Sequence, residues 1–472
     1  MHLLIPDRSD LSRRVLCGLA LVLLARLCLH VVFVPPFEGP DEPFHSSRVA
    51  AVAHGPFRSV LHPPPLSVAV QRAIPRHPCG PDLRRAFGCP PFPGTGAGTT
   101  AGAPPAIAQP EYPNYENNQP PLYYAVAGGA LALSEAAFPP NRTRVPESQL
   151  IRLRVISLLL VAAAIFGPLR RLARARTFSF SLVGMSVLFL PGFSESFVRC
   201  SNDAMLFLWA AIVVELVDRG YRGPALPALL ALGCLIKLNA LPVLLFALAV
   251  LWWERRRGMA LVSVAAAVLP ALFLGGSTWG GAVKIANRIP RPMPAGEVAR
   301  GLGRSIYTIL KGIPWMGEWS FFRPPLWLLA LGLALVVALA LRLRIQTGSV
   351  RFPAHVVGFA VALAGTLAFV LADRRVFGVW GGVGGWYVWS WMPWLALLAS
   401  DTIRRTGRTR FAILGIGIYL IVLNVSWILA ADRVYGPFHF GWAGVRSDVA
   451  ARIGQSEVAR FSERSGSVSL SR

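Results

Sequence analysis

Long apolar runs separated by short polar or arginine-rich segments dominate the hydrophobic pattern of this chain. The first run, residues 15–34, is long enough to cross a bilayer, which takes about 20 apolar residues. Further runs of similar character follow at about 151–168, 178–192, 204–217, 224–238, 241–253, 259–276, 326–341, 354–372, 385–400 and 411–430. The pattern predicts an all-α integral membrane protein that is polytopic, with about 11 transmembrane helices in a range of about 10 to 13.

Two polar segments interrupt this pattern and predict large loops, at residues 35–150 and 277–325. Residues 1–440 are expected to form one transmembrane domain, followed by a polar C-terminal tail at 441–472. Within the first loop, residues 89–110 are so rich in Pro, Gly, Ala and Thr that we predict a mobile flap.

The start of the first loop reads PPFEGPDEPFHSSRVAAVAHG and predicts a short helix beside the membrane. Asp41 stands at the N-cap position, Pro43 suits the first turn, and Gly55 ends the apolar periodicity. Asp41 and His45 are four residues apart and would share one helix face. A second short helix is predicted near residues 65–73.

Residues 121–138 are an ambiguous apolar stretch, since 18 residues barely span a bilayer. If this stretch crossed, the arginine-rich segments near residues 170, 254 and 404 would all lie outside the cell; otherwise all three lie inside. Because cytoplasmic loops carry an excess of Lys and Arg, we predict an interfacial or re-entrant helix and an external first loop.

Composition excludes other classes of protein. A mean hydropathy of +0.52 with 54% hydrophobic residues is too apolar for a soluble protein of 472 residues. The net charge of +24 comes almost entirely from arginine, and we attribute it to base composition and cytoplasmic loops rather than to a nucleic-acid partner. Cys79 and Cys89 share the external loop and are the expected disulfide pair.

Four motifs follow one another in the first half of the chain: PDEPFH from Pro40, NQPPLYYAVAG from Asn118, PGFSESFVRCSNDAMLFL from Pro191 and CLIKLNALPVLL from Cys234. Together they resemble the GT-C superfamily of polytopic glycosyltransferases, in particular bacterial branches with a Pro-Asp-Glu and His signature in the first loop. The resemblance implies transfer of a sugar from a polyprenyl-phosphate carrier to a glycan, lipid or protein acceptor. It also implies a multi-pass protein of the bacterial inner membrane with its active site facing the periplasm or exterior.

The resemblance assigns the catalytic carboxylate to the first loop. Asp41 is the expected general base, with Glu42 as the alternative. His45 either orients that carboxylate or is a ligand of a divalent ion, and no other cofactor is expected. Asp203 either completes the site or caps the next helix.

Cations are needed where a lipid phosphate leaves, and two residues suit this role. Arg199 and Lys237 are the expected phosphate holders, although Lys237 could instead snorkel to the interface. The remaining substrate-binding candidates are Glu38, Gln119, Tyr123 and Asn202.

Two other classes of function remain as alternatives. A transporter or lipid flippase for cell-envelope polysaccharide would also be polytopic, but it should carry ionisable residues near the bilayer midplane and show paired halves. A non-catalytic assembly scaffold is disfavoured only by PDEPFH. The tryptophan-rich residues 378–394 predict an interfacial aromatic belt.

Overall fold

The computed structural model describes residues 8–39, 41–77, 79, 81–89, 111–140, 144–174, 188–237, 239–268, 294–312, 326–341, 351–377, 389–405 and 409–435. These ranges are mostly helical, and no strand occurs in them. The predicted flap at 90–110, the tail at 441–472, most of the crossing at 178–192 and most of the tryptophan-rich segment lie outside the described residues.

The first half of the chain alternates long and short helices. Their bounds are α1 Arg8–Phe33, α2 Glu42–His54, α3 Val68–Ala73, α4 Pro81–Phe87, α5 Leu122–Ala137, α6 Val145–Ala164, α7 Pro191–Val198, α8 Asp203–Asp218 and α9 Ala225–Ile236. Helix α6 continues through a wider turn, Ile165–Leu169, into Arg170–Arg174. Pro168 lies in that turn and supplies no N–H, which accounts for the local widening.

The second half contains seven described helices. They are α10 Ala240–Trp253, α11 Arg257–Val268, α12 Ala295–Gly312, α13 Leu326–Leu341, α14 Arg351–Phe377, α15 Met392–Arg405 and α16 Thr409–Tyr435. Helix α12 falls inside the predicted second loop, and Glu297 on it forms an ion pair of 2.6 Å with Arg374 on α14. The rest of residues 277–325 lies outside the described ranges.

Fewer helices qualify as membrane spans than the sequence predicts. Among the described residues, Val145–Leu172 and Ile413–Ala430 are long and apolar enough to cross, and the bent pair α7 and α8 would make a third. Other apolar helices, such as Ala225–Ile236 and Ala240–Trp253, are only 12 and 14 residues long. At about 1.5 Å per residue they fall short of a hydrocarbon layer about 30 Å thick. Hydropathy counts apolar residues whether or not they form one unbroken helix, so the count of about eleven exceeds what these helices show.

The helices α2 to α5 and the turns between them form a folded unit, which we call the first-loop layer. Its core contains Phe44, Val49 and Tyr124 together with Cys79 and Cys89, which are joined by a disulfide with Cα atoms 6.1 Å apart. The two helices predicted in this loop are present, as α2 and α3. Helix α5 has 16 residues, about 24 Å, and is not among the candidate spans.

Gly128 allows α2 and α5 to pack closely. A Cβ atom at this position would lie 2.7 Å from Cγ1 of Val52 on α2. Any larger residue would therefore push the two helices apart. This contact holds the end of α2 against α5, where His54 of α2 also pairs with Glu135 of α5 at 2.9 Å.

A second apolar core lies among α8, α9, α10, α14 and α15. Met205, in the first turn of α8, packs against this core and against the core of the first-loop layer. The polar segments before α8 and α10 therefore lie where the two cores meet, and this junction contains the candidate site.

Candidate functional site

Asp41 occupies the N-cap position of α2 but does not cap it with its side chain. Its backbone is left-handed, with φ 63° and ψ −3°, and its carbonyl oxygen accepts hydrogen bonds from the N–H groups of Phe44 at 3.0 Å and His45 at 2.9 Å. Left-handed backbone is unfavourable for most residues but accessible to Asp. Asp41 is thus the N-cap residue that the sequence predicts, although its side chain makes no capping hydrogen bond.

Asp41, His45 and Glu116 bring one ligand atom each within 4.8 Å of one another. His45 Nε2 lies 3.5 Å from Glu116 Oε2, and His45 Nδ1 lies 2.8 Å from the Tyr124 hydroxyl. The Tyr124 hydroxyl donates to Glu116 Oε2 at 3.3 Å, so its oxygen accepts the proton of Nδ1. This arrangement leaves Nε2 as the nitrogen that faces the carboxylates.

Arg48 supports this cluster through contacts with the backbone of the 115–118 turn and the ring of Tyr124. It donates to the carbonyl oxygens of Glu116 at 2.6 Å and Gln119 at 2.9 Å, and its guanidinium lies 3.7 Å from the centre of the Tyr124 ring. The side chain is almost completely buried. Because one guanidinium joins α2, the 115–118 turn and α5, it fixes the position of Glu116 relative to His45.

Glu42 is engaged in a buried ion pair. Arg154 on α6 donates to both of its carboxylate oxygens, at 2.8 and 2.6 Å, and the N–H groups of Gly39 and Cys200 donate to them as well. Glu42 is 0% exposed. The Glu42 carboxylate is thus held by donors from three separate segments of the chain.

Lys237 and Asp203 form the second charged part of the site. Lys237 Nζ lies 2.6 Å from Asp203 Oδ1, and both residues are buried. This geometry disagrees with the alternative in which Lys237 snorkels to the interface. Asn202, next to Asp203, donates from Nδ2 to Gln119 Oε1 at 3.3 Å and so connects α8 to the first-loop layer.

Burial and neighbouring charges shift the pKa values of Glu116 and His45. Burial, together with the negative charge of Asp41, raises the pKa of Glu116 to about 8, against the opposing effects of Lys237 and Arg48. Burial, reinforced by the positive charges of Lys237 and Arg48, holds the pKa of His45 well below its usual value. His45 is therefore neutral at pH 7, and Lys237 is close enough to act on both residues.

The other predicted residues lie at the edge of this cluster. Arg199 is buried and packs against Gly39, so closely that a Cβ atom on Gly39 would lie 2.7 Å from Arg199 Cδ. Glu38, the residue before Gly39, is also buried. Tyr123 points to Cys200, with 3.7 Å between its hydroxyl and Sγ, and only its ring approaches His45. The tyrosine that hydrogen-bonds within the cluster is Tyr124.

Sequence reasoning missed Glu116, Arg48, Tyr124 and Arg154. Two signals were present: Arg48 interrupts the apolar periodicity of α2, and Glu116 stands two residues before the NQPPLYY motif. A charged residue in either place needs a partner, but the sequence does not say which one.

No family model matches this chain, and neither the curated proteins nor the solved structures contain a significant match. The resemblance to the GT-C superfamily therefore rests on the four motifs alone.

Proposed function

We propose that this chain is a polyprenyl-phosphate-sugar-dependent glycosyltransferase of the GT-C kind. The observation that carries the proposal is the meeting of four distant segments in one buried polar cluster. Asp41 and His45 come from α2, Gln119 from the start of QPPLYY, Asp203 from α8, and Lys237 from the end of α9. Burying so many ionisable groups is unfavourable unless they are paired or functional.

In the proposed reaction, Asp41 accepts the proton of an acceptor hydroxyl. The acceptor oxygen then attacks the anomeric carbon of the sugar, and the bond from that carbon to the phosphate oxygen breaks. The electron pair of this bond goes to the departing lipid phosphate. In this reaction Lys237 and Arg199 offset the negative charge that builds on the phosphate.

The proposal includes an external site on a polytopic protein of the bacterial plasma membrane, with about eleven helices and a large first loop outside. Arginine asymmetry supports this orientation. The length of α5, 16 residues, supports a helix that does not cross. The acceptor is a glycan, a lipid or a protein.

The decisive experiment measures the rate of sugar transfer by purified parent and Asp41→Asn proteins. Each is supplied with a polyprenyl-phosphate sugar as donor and a membrane extract as the source of acceptor. We expect at least about a 100-fold loss of turnover with donor binding retained, because the variant keeps size and hydrogen bonding but loses the base. Glu135→Gln is the matched control, since Glu135 pairs with His54 at 2.9 Å on the same layer. Transfer by Asp41→Asn at the parental rate would overturn the assignment of the base. If the parent binds no polyprenyl-linked sugar, a transporter becomes the better explanation.

A further inference from the structure

We infer that Asp41, His45 and Glu116 form a site for one divalent metal ion. Zn²⁺ and Mn²⁺ are the ions that suit a ligand set of one imidazole and two carboxylates. The three side chains come from α2 and from the turn before α5, and their ligand atoms lie within 4.8 Å of one another. The first-loop layer brings them together, since Glu116 is far from the other two along the chain.

The spacing of these atoms suits coordination better than direct hydrogen bonding. Adjacent ligands of an ion at about 2.0–2.2 Å lie roughly 3.0–3.5 Å apart, and opposite ligands about 4.2 Å apart. His45 Nε2 and Glu116 Oε2 are separated by 3.5 Å, which is long for a hydrogen bond and fits two adjacent ligands. The third ligand atom, on Asp41, lies within 4.8 Å of both.

The second observation is the support behind His45. Metal-binding histidines usually donate their other ring N–H to a fixed acceptor, which sets the tautomer and aims the free nitrogen. His45 Nδ1 meets the Tyr124 hydroxyl at 2.8 Å, and Arg48 stacks on the Tyr124 ring at 3.7 Å. His45 is 3% exposed, so its ring is held in place and Nε2 points at the carboxylate.

The ligand types narrow the choice of ion. Imidazole suits zinc and other transition metals, carboxylates also accept manganese, and magnesium prefers an all-oxygen set with several waters. Three protein ligands leave positions for water or for a phosphate oxygen, as in catalytic rather than structural sites. One oxygen from each carboxylate is enough to coordinate the ion.

The test is a binding measurement that does not depend on sugar transfer. Full-length protein in detergent, stripped with EDTA and dialysed, is titrated separately with Zn²⁺, Mn²⁺ and Mg²⁺ by calorimetry, and with Co²⁺ by visible absorption. We expect one ion per chain, bound more weakly for Mg²⁺. Glu116→Gln and His45→Gln should each lower the affinity by at least about tenfold and change the Co²⁺ spectrum. Tyr124→Phe, which keeps all three ligands and removes only the hydroxyl that contacts His45 and Glu116, should give a smaller loss.

Glu135→Gln is again the control, because Glu135 and His54 form an acid–histidine pair in the same layer outside this cluster. Elution of every variant as a single species in gel filtration establishes that it is folded. The inference is overturned if the parent binds no Zn²⁺ or Mn²⁺ at about 1 mM, or if both ligand variants bind like the parent. Metal binding without transfer would contradict the proposed function alone, and transfer insensitive to EDTA without metal binding would contradict this inference alone.

Discussion

Glu42 and Arg154 form a two-point ion pair in the interior, with contacts of 2.8 and 2.6 Å between the guanidinium and the carboxylate. Arg154 also donates to the carbonyl oxygen of Pro35 at 2.8 Å. One side chain of α6 thus holds both the chain leaving α1 and the first turn of α2. The neighbouring carboxylate, Asp41, is positioned by this brace.

Removing one partner of this pair should destabilise the protein. Arg154→Met leaves the Glu42 carboxylate buried without its cation, which typically costs about 3–5 kcal/mol. We expect a marked fall in melting temperature, measured in detergent by intrinsic tryptophan fluorescence. Arg152→Met, two residues away on the same helix and only partly buried, should cause a much smaller change. Equal losses from the two variants would show that the ion pair is not what stabilises this junction.

Lys237→Ala should weaken donor binding more than it slows the chemical step. The substitution removes the ammonium group 2.6 Å from Asp203 and with it a cation suited to a lipid phosphate. We expect KM for the polyprenyl-phosphate donor to rise by about tenfold or more, with a smaller effect on kcat. Asp203→Asn should lower the rate of transfer less than Asp41→Asn does, because Asp203 takes no proton in the proposed reaction. Arg72→Ala, at an exposed cation of the first-loop layer, should leave both constants unchanged.

Two adjacent glycines of α5 should respond in opposite ways to alanine. Gly128→Ala places a Cβ atom 2.7 Å from Val52 Cγ1, so α2 must move or the protein loses stability by about 1–3 kcal/mol. Nothing lies within 4 Å of a Cβ atom at Gly129, so Gly129→Ala should be neutral or stabilise by up to about 1 kcal/mol through helix propensity. Thermal unfolding of both variants checks the prediction. A stable Gly128→Ala protein would argue against the close packing of α2 on α5.

The disulfide between Cys79 and Cys89 should stabilise the first-loop layer. A crosslink between residues 10 apart in sequence restricts the unfolded chain and so raises the free energy of unfolding by roughly 2–3 kcal/mol. Cys79→Ser with Cys89→Ser should lower the melting temperature and increase proteolysis near residue 90. Non-reducing peptide mapping of the parent should recover the two cysteines in one linked fragment. Free thiols at both positions in protein from an oxidising compartment would exclude the bond.

Membrane orientation can be tested by cysteine labelling in a background without the free cysteines Cys17, Cys28, Cys200 and Cys234. Arg72→Cys, in the first-loop layer, should react with a membrane-impermeant maleimide in intact cells. Arg257→Cys, beside the arginine-rich segment at residue 254, should react only after the membrane is opened. Both positions are exposed. The reverse pattern would place the candidate site in the cytoplasm.

Local rules in the sequence determined the elements of the first-loop layer. Asp41, Pro43 and Gly55 bounded α2 because caps, fixed proline torsions and glycine stops act within a few residues. Apolar runs predicted helices in the same way, and the described helices begin and end near those runs. Among the described residues, fewer helices qualify as spans than hydropathy predicts, because hydropathy does not report where a helix bends or ends.

Only the tertiary structure decided which carboxylate pairs with Arg154 and which residues meet. Asp41 and Glu42 are neighbours with the same chemistry, and Arg154, more than a hundred residues away, pairs with Glu42. Glu116 meets His45 because α2 packs on α5 and Arg48 holds the turn that contains Glu116. Contacts of this kind depend on the packing of whole helices, whereas sequence periodicity fixes the face of a helix and not its partner.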